Sequence, residues 1–432
     1  MTTHGITPSM APERAQEIAR SFDLRALAPD FLANPYPVYA ALREHEPVRR
    51  MPDGSVFLTR CADLMAVYRD AQTFSSDKQV EFAPKYGKGS ALFEHHTTSL
   101  VFNDPPLHTR VRRLIMGALT RRAIADMEPG LILLVDSLLD DLSNRGGGDL
   151  IEDFASAIPV EIVGNLLDVP HEDRGPLRDW SLAILGALEP TLTPAQLALG
   201  NQAVTDMLAY LRTLVVQRRR HPGDPERDVL TRLIQGENGN GKGGEQLSEV
   251  ELLQNCIFLL NAGHETTTNL IGNGLIALQE HPQARRFLHT ALKHTEGDAA
   301  AQETVLTRAV DEFLRFESSN QLGNRRAVQD TQVGGMALPA GTLVTLCIGA
   351  ANRDPAQFEN PEVLDLAREG NKHLAFGFGI HQCAGLSLAR LEGRIAIGRF
   401  LQRFPGYRLT QAPVRGGRAR FRGFLHAPYS VG

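Results

Sequence analysis

The stretch Phe376-Gly377-Phe378-Gly379-Ile380-His381-Gln382-Cys383-Ala384-Gly385 constrains this chain more than any other. It sets a single cysteine at the end of a glycine-punctuated loop, directly before a helical run. Gly377, Gly379 and Gly385 allow backbone angles and close approaches that a side chain would obstruct. Amides at the start of a helix donate to a thiolate and favour its ionised form. Such a loop can present the Cys383 sulfur to a metal cofactor while shielding it from oxidation, with Phe376 packed at its entrance. An isolated cysteine is usually a buried free thiol, but a loop this densely specified requires more than that.

Composition removes several other classes. Of the 432 residues 42% are hydrophobic, ample for a large core, yet no apolar run approaches the length of a membrane span. Met1 to Arg20 is polar and charged, without the apolar centre of a signal peptide. Cys61, Cys256, Cys347 and Cys383 are widely separated, which fits neither a disulfide framework nor a zinc site. The net charge of −5 gives no support to nucleic-acid binding. A soluble, cytoplasmic protein with free thiols is expected.

Along the chain, residues 1–20 read as a loosely ordered arm and Pro35 to His45 as a short helix. Val48 to Arg60 reads as a hairpin about Pro52-Asp53-Gly54. Ser75 to Asp104 shows no clean periodicity and reads as a long irregular loop. Helical patterns dominate from Pro106 to about Leu292, interrupted by turns at Gly146-Gly147-Gly148 and Gly236 to Gly244. Thr304 to Phe316 is amphipathic, Val333 to Ile348 is the main β-rich portion, and a last helix spans roughly Ala384 to Arg403. The fold class is mainly α with a smaller β region, and no Pro/Ser-rich boundary divides the 432 residues into separate domains.

Three further motifs carry chemistry. Ala262-Gly263-His264-Glu265-Thr266-Thr267 lies within a helical pattern from about Ser248 to Glu280. Gly263 weakens the helix and the Thr266 hydroxyl competes for a backbone carbonyl, so the pair can open a groove for a water. Glu265 and Thr266 set an acid beside an alcohol, which suits a proton relay. Glu312 and Arg315 lie three apart on one helix and can pair. His108 and Arg112 lie four apart on another, entered through Pro105-Pro106. Arg110, Arg113, Arg121 and Arg122, with Arg390 and Arg394, form either a basic patch or an ordinary solvated face.

The spacing F-x-x-G-x-x-x-C-x-G resembles the haem-binding loop of the cytochrome P-450 family, soluble bacterial type, and the other motifs follow that family's order. The resemblance runs from about residue 30 to the C-terminus and implies the triangular, α-rich fold of the family as one domain. It implies haem b with Cys383 as axial iron ligand, a thiolate that favours O–O bond cleavage. Phe376, Gly377, Gly385, Ala262 and Gly263 would then border the cofactor. His108, Arg112, Arg325 and His381 resemble the family's propionate clamp, with Arg326 as a rival to Arg325. Glu265 and Thr266 match its oxygen-activation motif, and His264 reads as a helix-packing or pocket-edge histidine, not an iron ligand. Glu312 and Arg315 match its structural pair, whose usual third member, a base, is replaced by Val363 in Pro361-Glu362-Val363-Leu364; Arg353 or Arg368 are the available substitutes.

The implied activity is that of a monooxygenase, inserting one oxygen atom from O2 into a small to medium apolar substrate. No flavin or nicotinamide module is visible, so a ferredoxin, served by a separate NAD(P)H-dependent reductase, is the implied electron donor. Peroxygenase or isomerase chemistry is the first rival, against which the intact Glu265-Thr266 pair argues, and a haem-thiolate sensor is the second. Candidate pocket residues are Phe82, Leu100, Val101, Leu259 and Leu322, with His95 and His96 as anchors for a substrate carboxylate or as solvent-exposed bystanders.

Overall fold

In the computed structural model, which describes residues 10–226, 228–236 and 247–432, the helix Glu249–Glu280 runs through the middle of the largest hydrophobic core. Ser248 starts it with a capping box: its hydroxyl accepts from the Glu251 N–H at 3.2 Å, while its own N–H donates to the Glu251 carboxylate at 2.8 Å. Leu252, Leu253, Cys256, Ile257, Leu260, Leu270 and Ile271 are buried around it, the pattern of a helix packed on all sides. The helices Arg121–Arg145, Ala157–Leu166, Leu177–Gly186, Pro194–Arg220 and Leu386–Arg403 contribute to the same core.

The β portion is a five-stranded sheet beside this helical mass. The expected hairpin forms from Val48–Arg50 and Val56–Leu58, pairing Val48 with Leu58. Val56–Leu58 then runs parallel to Leu343–Cys347, which pairs antiparallel with Leu322–Ala327, and Phe74–Ser75 closes the far edge. Thr331–Val333 and Met336–Leu338 form a separate small hairpin.

Three expectations change. The N-terminal arm is helical at Pro12–Ser21, where Ala15 and Ala19 are buried; residues 1–9 lie outside the described residues. The irregular loop after Ser75 contains two helices, Gln79–Tyr86 and Ala91–Thr98, the second capped by the Ser90 hydroxyl, which accepts from Phe93 N–H at 3.1 Å. Pro84, Gly87 and Gly89 had blurred both periodicities. Gly147–Asp149 is a strand against Pro428–Ser430, and a Cβ at Gly147 would collide with the Tyr429 carbonyl oxygen. The glycines there serve a close approach as well as a turn. Of the Gly236 to Gly244 turn, positions 237–244 lie outside the described residues.

Candidate active site

The cysteine loop folds back on itself before the last helix. Cys383 N–H donates to the Phe376 carbonyl at 2.8 Å and Gln382 N–H to that of Gly379 at 3.0 Å. Gly377 and Gly379 take φ of +64° and +73°, which L side chains rarely adopt, and a Cβ at Gly379 would also strike the Tyr68 carbonyl. Gly385, with φ −90° at the helix start, needs no such freedom, and a Cβ there meets no protein atom within 4 Å. The Arg390 guanidinium lies 4.8 Å from the Phe376 ring centre, fixing the aromatic at the loop entrance.

Cys383 is deep in the fold, yet its side chain remains accessible to solvent. Burial pushes its thiol up, opposed by the Gly385 backbone and by the charges of Arg112 and Arg390. Its pairing with a cation from the Leu107–Ala118 helix brings the second motif to the sulfur.

His108 and His381 stack with ring centres 4.0 Å apart. Both nitrogens of His108 and Nε2 of His381 are buried without a partner. Burial, then Arg112, holds His108 at about 4; burial, then Arg325, holds His381 at about 2. Among the described residues neither Arg112 nor Arg325 has a carboxylate in ion-pair reach, and burial lowers the pKa of both. Arg326, on the opposite face of its strand, instead reaches the Glu81 carboxylate at 3.4 Å. Geometry thus favours Arg325 over its rival.

Lys78, missed in the sequence, belongs to the same group. It is 2% exposed and burial, then Arg325, pulls its ammonium down to about 7. Among the described residues its ammonium makes one hydrogen bond, to the Asp77 carbonyl at 3.3 Å. Asp104 draws the segments together, accepting from Ser76 N–H at 2.8 Å while its carbonyl accepts from His108 N–H at 3.1 Å. Nothing local in the sequence marks Lys78, because the pairing of Ser75 with Arg326 that brings this segment beside Arg325 is long-range. Among the described residues these cationic and N–H donors have no carboxylate in direct contact, though Asp104 lies near, and they fit a cofactor carrying carboxylates and a metal that takes one sulfur.

The long helix is unbroken through the Ala262–Thr267 motif. The Thr266 hydroxyl donates to the Ala262 carbonyl at 2.8 Å, as expected. Gly263 does not open a groove; a Cβ there would collide with Val163 on the Ala157–Leu166 helix, so the glycine permits close helix packing. Consecutive helical side chains point roughly 100° apart, and Glu265 accordingly turns from Thr266 to meet Arg418, whose Nη1 donates to its carboxylate at 2.7 Å. Burial raises the Glu265 carboxyl to about 7, with Arg418 opposing. A cavity of about 20 Å³ borders Glu265, His264, Asn269, Arg178 and Arg418. Glu265 Oε2, His264 Nδ1 and Asn269 Nδ2 are unpartnered, so the cavity is sized and lined for one water. His264 packs as expected, its Nε2 3.1 Å from the Ser156 hydroxyl.

Glu312 and Arg315 are fully buried and joined by two hydrogen bonds of 2.7 Å. Arg368 is the substitute third member, its Nε donating to Glu312 at 3.1 Å, beside Asn371 at 3.1 Å and the Asp365 N–H at 2.8 Å. Val363 joins by its carbonyl, which accepts from Arg315 at 3.0 Å. Arg353 pairs with Glu362 instead.

Among pocket candidates, Phe82, Leu100 and Leu259 belong to the helical core, and Val101 lies half-buried beside Leu100. Leu322 does not join them. It is 1% exposed and packs with Tyr39, Phe57 and Cys347, because alternation on its strand turns it to the N-terminal side of the sheet. His95 and His96 are buried on a helix, contrary to the bystander reading. The basic patch is largely neutralised: Arg110 pairs with Glu251, Arg390 with Asp311, and Arg394 with Glu128 and Glu303. Arg121 and Arg122 remain exposed.

Comparison with known proteins bears on this geometry. The family profile described as Cytochrome P450 matches residues 186–409. The biotin biosynthesis cytochrome P450 of Bacillus subtilis (strain 168) is 34% identical over 88% of this chain and 92% of its own. The vitamin D(3) 25-hydroxylase of Pseudonocardia autotrophica is 37% identical over 85% of this chain and 86% of its own. Among solved structures, P450BioI in complex with an acyl carrier protein ligated to hexadec-9Z-enoic acid superposes with a TM-score of 0.83 at 34% identity. That match covers 94% of this chain and all of the other.

Proposed function

The chain belongs to the cytochrome P450 family, haem b enzymes, and from that premise we propose a ferredoxin-driven monooxygenase acting on a small to medium apolar substrate in the cytoplasm. The observation that carries this reading is the accessible Cys383 sulfur beside His108, Arg112, Arg325 and His381, donors with no carboxylate in direct contact among the described residues. Cys383 would be the axial ligand, and these four, with Lys78, would hold the haem carboxylates. Thiolate-ligated haem supplies the oxygen-activating chemistry. No helix among the described residues is long and apolar enough to cross a membrane.

The protein's own share is proton supply and exclusion of water. Glu265, held near neutrality by burial against Arg418, can gain and release a proton at working pH. The water-sized cavity beside it, lined also by His264, Arg178 and Arg418, has room for one water to exchange a proton with that carboxyl. Thr266 is the hydroxyl on the neighbouring face that passes a proton onward, held by the Ala262 carbonyl until it does. Phe82, Leu100, Val101 and Leu259 give the substrate side an apolar lining.

The chain's relatives include a vitamin D(3) 25-hydroxylase and an enzyme seen with hexadec-9Z-enoic acid on an acyl carrier protein, both largely apolar cargoes. The test is turnover under ¹⁸O₂ with NAD(P)H, a ferredoxin reductase and a ferredoxin. One labelled oxygen per product supports the reading; label-free product, or turnover needing no ferredoxin, would sink it.

A further inference from the structure

The helix Pro282–His294 and the 359–368 segment face each other across an open cleft of about 450 Å³, within the size range of small-ligand sites. Ala284, Phe287, Val363, Leu364 and Leu366 give it apolar walls. Leu364 and Leu366 are buried, yet Phe287 is 45% and Val363 55% exposed. A single apolar side chain in water needs no explanation. Two large ones lining one cleft, beside a buried apolar floor, form a patch that a ligand can cover. Val363 also stands where the family resemblance implied a base, so the cleft gains an apolar wall and lacks a cation there.

The unbalanced charge of the cleft has one sign. Glu359 and Asp365 line it, both exposed, and among the described residues neither carboxylate pairs with a cation. Asp365 uses one oxygen to accept the Ala367 N–H at 3.1 Å. Arg368 is the one cation among the lining residues, and its donors are already engaged. Nε donates to Glu312 at 3.1 Å, Nη1 to the Glu359 carbonyl at 2.8 Å and Nη2 to the Asn360 carbonyl at 3.4 Å. Glu362 and Glu369, the other acids of this stretch, are paired with Arg353 and Arg308. An aromatic face, an apolar floor and two uncompensated carboxylates are the chemistry that recognises an organic cation. An anion would be repelled by the same pair.

We propose that this cleft binds a small organic cation, an ammonium carried on an apolar body, its charge met by Glu359 and Asp365 and its body resting on Phe287 and Val363. A cleft of this volume holds one such molecule, whereas a docked protein needs a far larger face. The backbone of the same wall holds the buried network: the Val363 carbonyl accepts from Arg315 at 3.0 Å and the Asp365 N–H donates to Glu312 at 2.8 Å. An occupant that binds only when this wall is in place therefore stabilises the folded protein. No residue of the cysteine site takes part.

Titration calorimetry of the holoenzyme compares benzyltrimethylammonium, whose quaternary nitrogen cannot ligate iron, with 3-phenylpropionate, an anion of similar size. The cation should bind about tenfold tighter than the anion or better, and the Soret band should stay where it is as the cleft fills. Its affinity should fall several-fold in Phe287→Ala and in Glu359→Gln. In Val363→Arg, which sets a cation in the cleft, it should fall by about tenfold. All three positions are exposed, so the variants without ligand should keep the wild-type Tm within about two degrees. Saturating cation should raise the Tm of the wild type and not that of Val363→Arg. No heat of binding at millimolar cation, equal affinity for the two ligands, or an affinity that all three variants leave unchanged overturns the proposal. A Soret shift that rises in step with the heat and survives the variants places the molecule beside the haem and overturns it too.

Discussion

Glu265 and Arg418 meet at 2.7 Å, joining the acid next to Thr266 to the loop between Val414–Arg415 and Phe424–His426. An acid inside the central helix is thereby tied to a segment more than a hundred residues away in sequence. Its protonation depends on that contact.

The contact predicts a pH dependence. Burial places the Glu265 carboxyl at about 7 and Arg418 pulls against that rise. The proton-bearing form is therefore lost as pH climbs through about 7, and turnover should fall on the alkaline side. In Arg418→Leu the lowering influence is gone, so the alkaline limb should move to higher pH; in Glu265→Gln it should vanish. Profiles of kcat against pH that coincide in all three proteins would remove Glu265 from the relay.

Thr266→Ala deletes the hydroxyl and keeps the helix, since its bond to the Ala262 carbonyl is a side-chain addition to an intact backbone ladder. Substrate binding should stay within about twofold of wild type, while the product formed per NAD(P)H drops and peroxide appears, a loss on the order of tenfold or more for a general acid–base group. Unchanged coupling would contradict the role.

The Glu312 network should rank by burial. Removing Arg315 takes a fully buried cation and two hydrogen bonds from the Glu312 carboxylate, leaving it only Arg368, Asn371 and the Asp365 N–H among the described residues, a loss of about 3–5 kcal/mol. Arg368→Ala leaves that carboxylate still paired and should cost roughly 1–3 kcal/mol. Urea unfolding of the two variants gives the order, and an equal or reversed ranking would show that Arg315 is not its centre.

Lys78 supplies a test that needs no turnover. Its folded pKa of about 7 lies below the ordinary 10.5, so between these values the unfolded chain binds more protons and stability of the cofactor-free protein rises with pH. Lys78→Met should flatten that rise in part, the remainder belonging to Lys85, which burial also holds at about 7. The same variant should release haem to apomyoglobin several-fold faster, by loss of a charged donor to a carboxylate. An unchanged release rate would place Lys78 outside the clamp.

Motif chemistry was legible in the sequence wherever it is local. Gly377 and Gly379 of the cysteine loop, the helical pattern beginning at about Ser248 and the i,i+3 pairing of Glu312 with Arg315 all rest on short-range geometry. What rests on long-range packing was not. Gly263 reads as a helix-weakening residue until Val163 is seen against it. Lys78 is an ordinary lysine until Asp104 folds it toward Arg325. Leu322 passes for a pocket residue because strand alternation fixes a face only once the sheet's two sides are known. The basic patch likewise dissolves when acids from other helices arrive beside it.

Everything here turns on one sulfur, and one spectrum examines it. Reconstituted with haem, reduced and exposed to carbon monoxide, the protein should show the strongly red-shifted Soret band of a thiolate-ligated iron, and Cys383→Ser should lose it. A well-folded wild-type protein giving an ordinary haem–carbon monoxide band, or a Cys383→Ser variant that keeps the shifted one, would contradict the assignment of Cys383 as axial ligand.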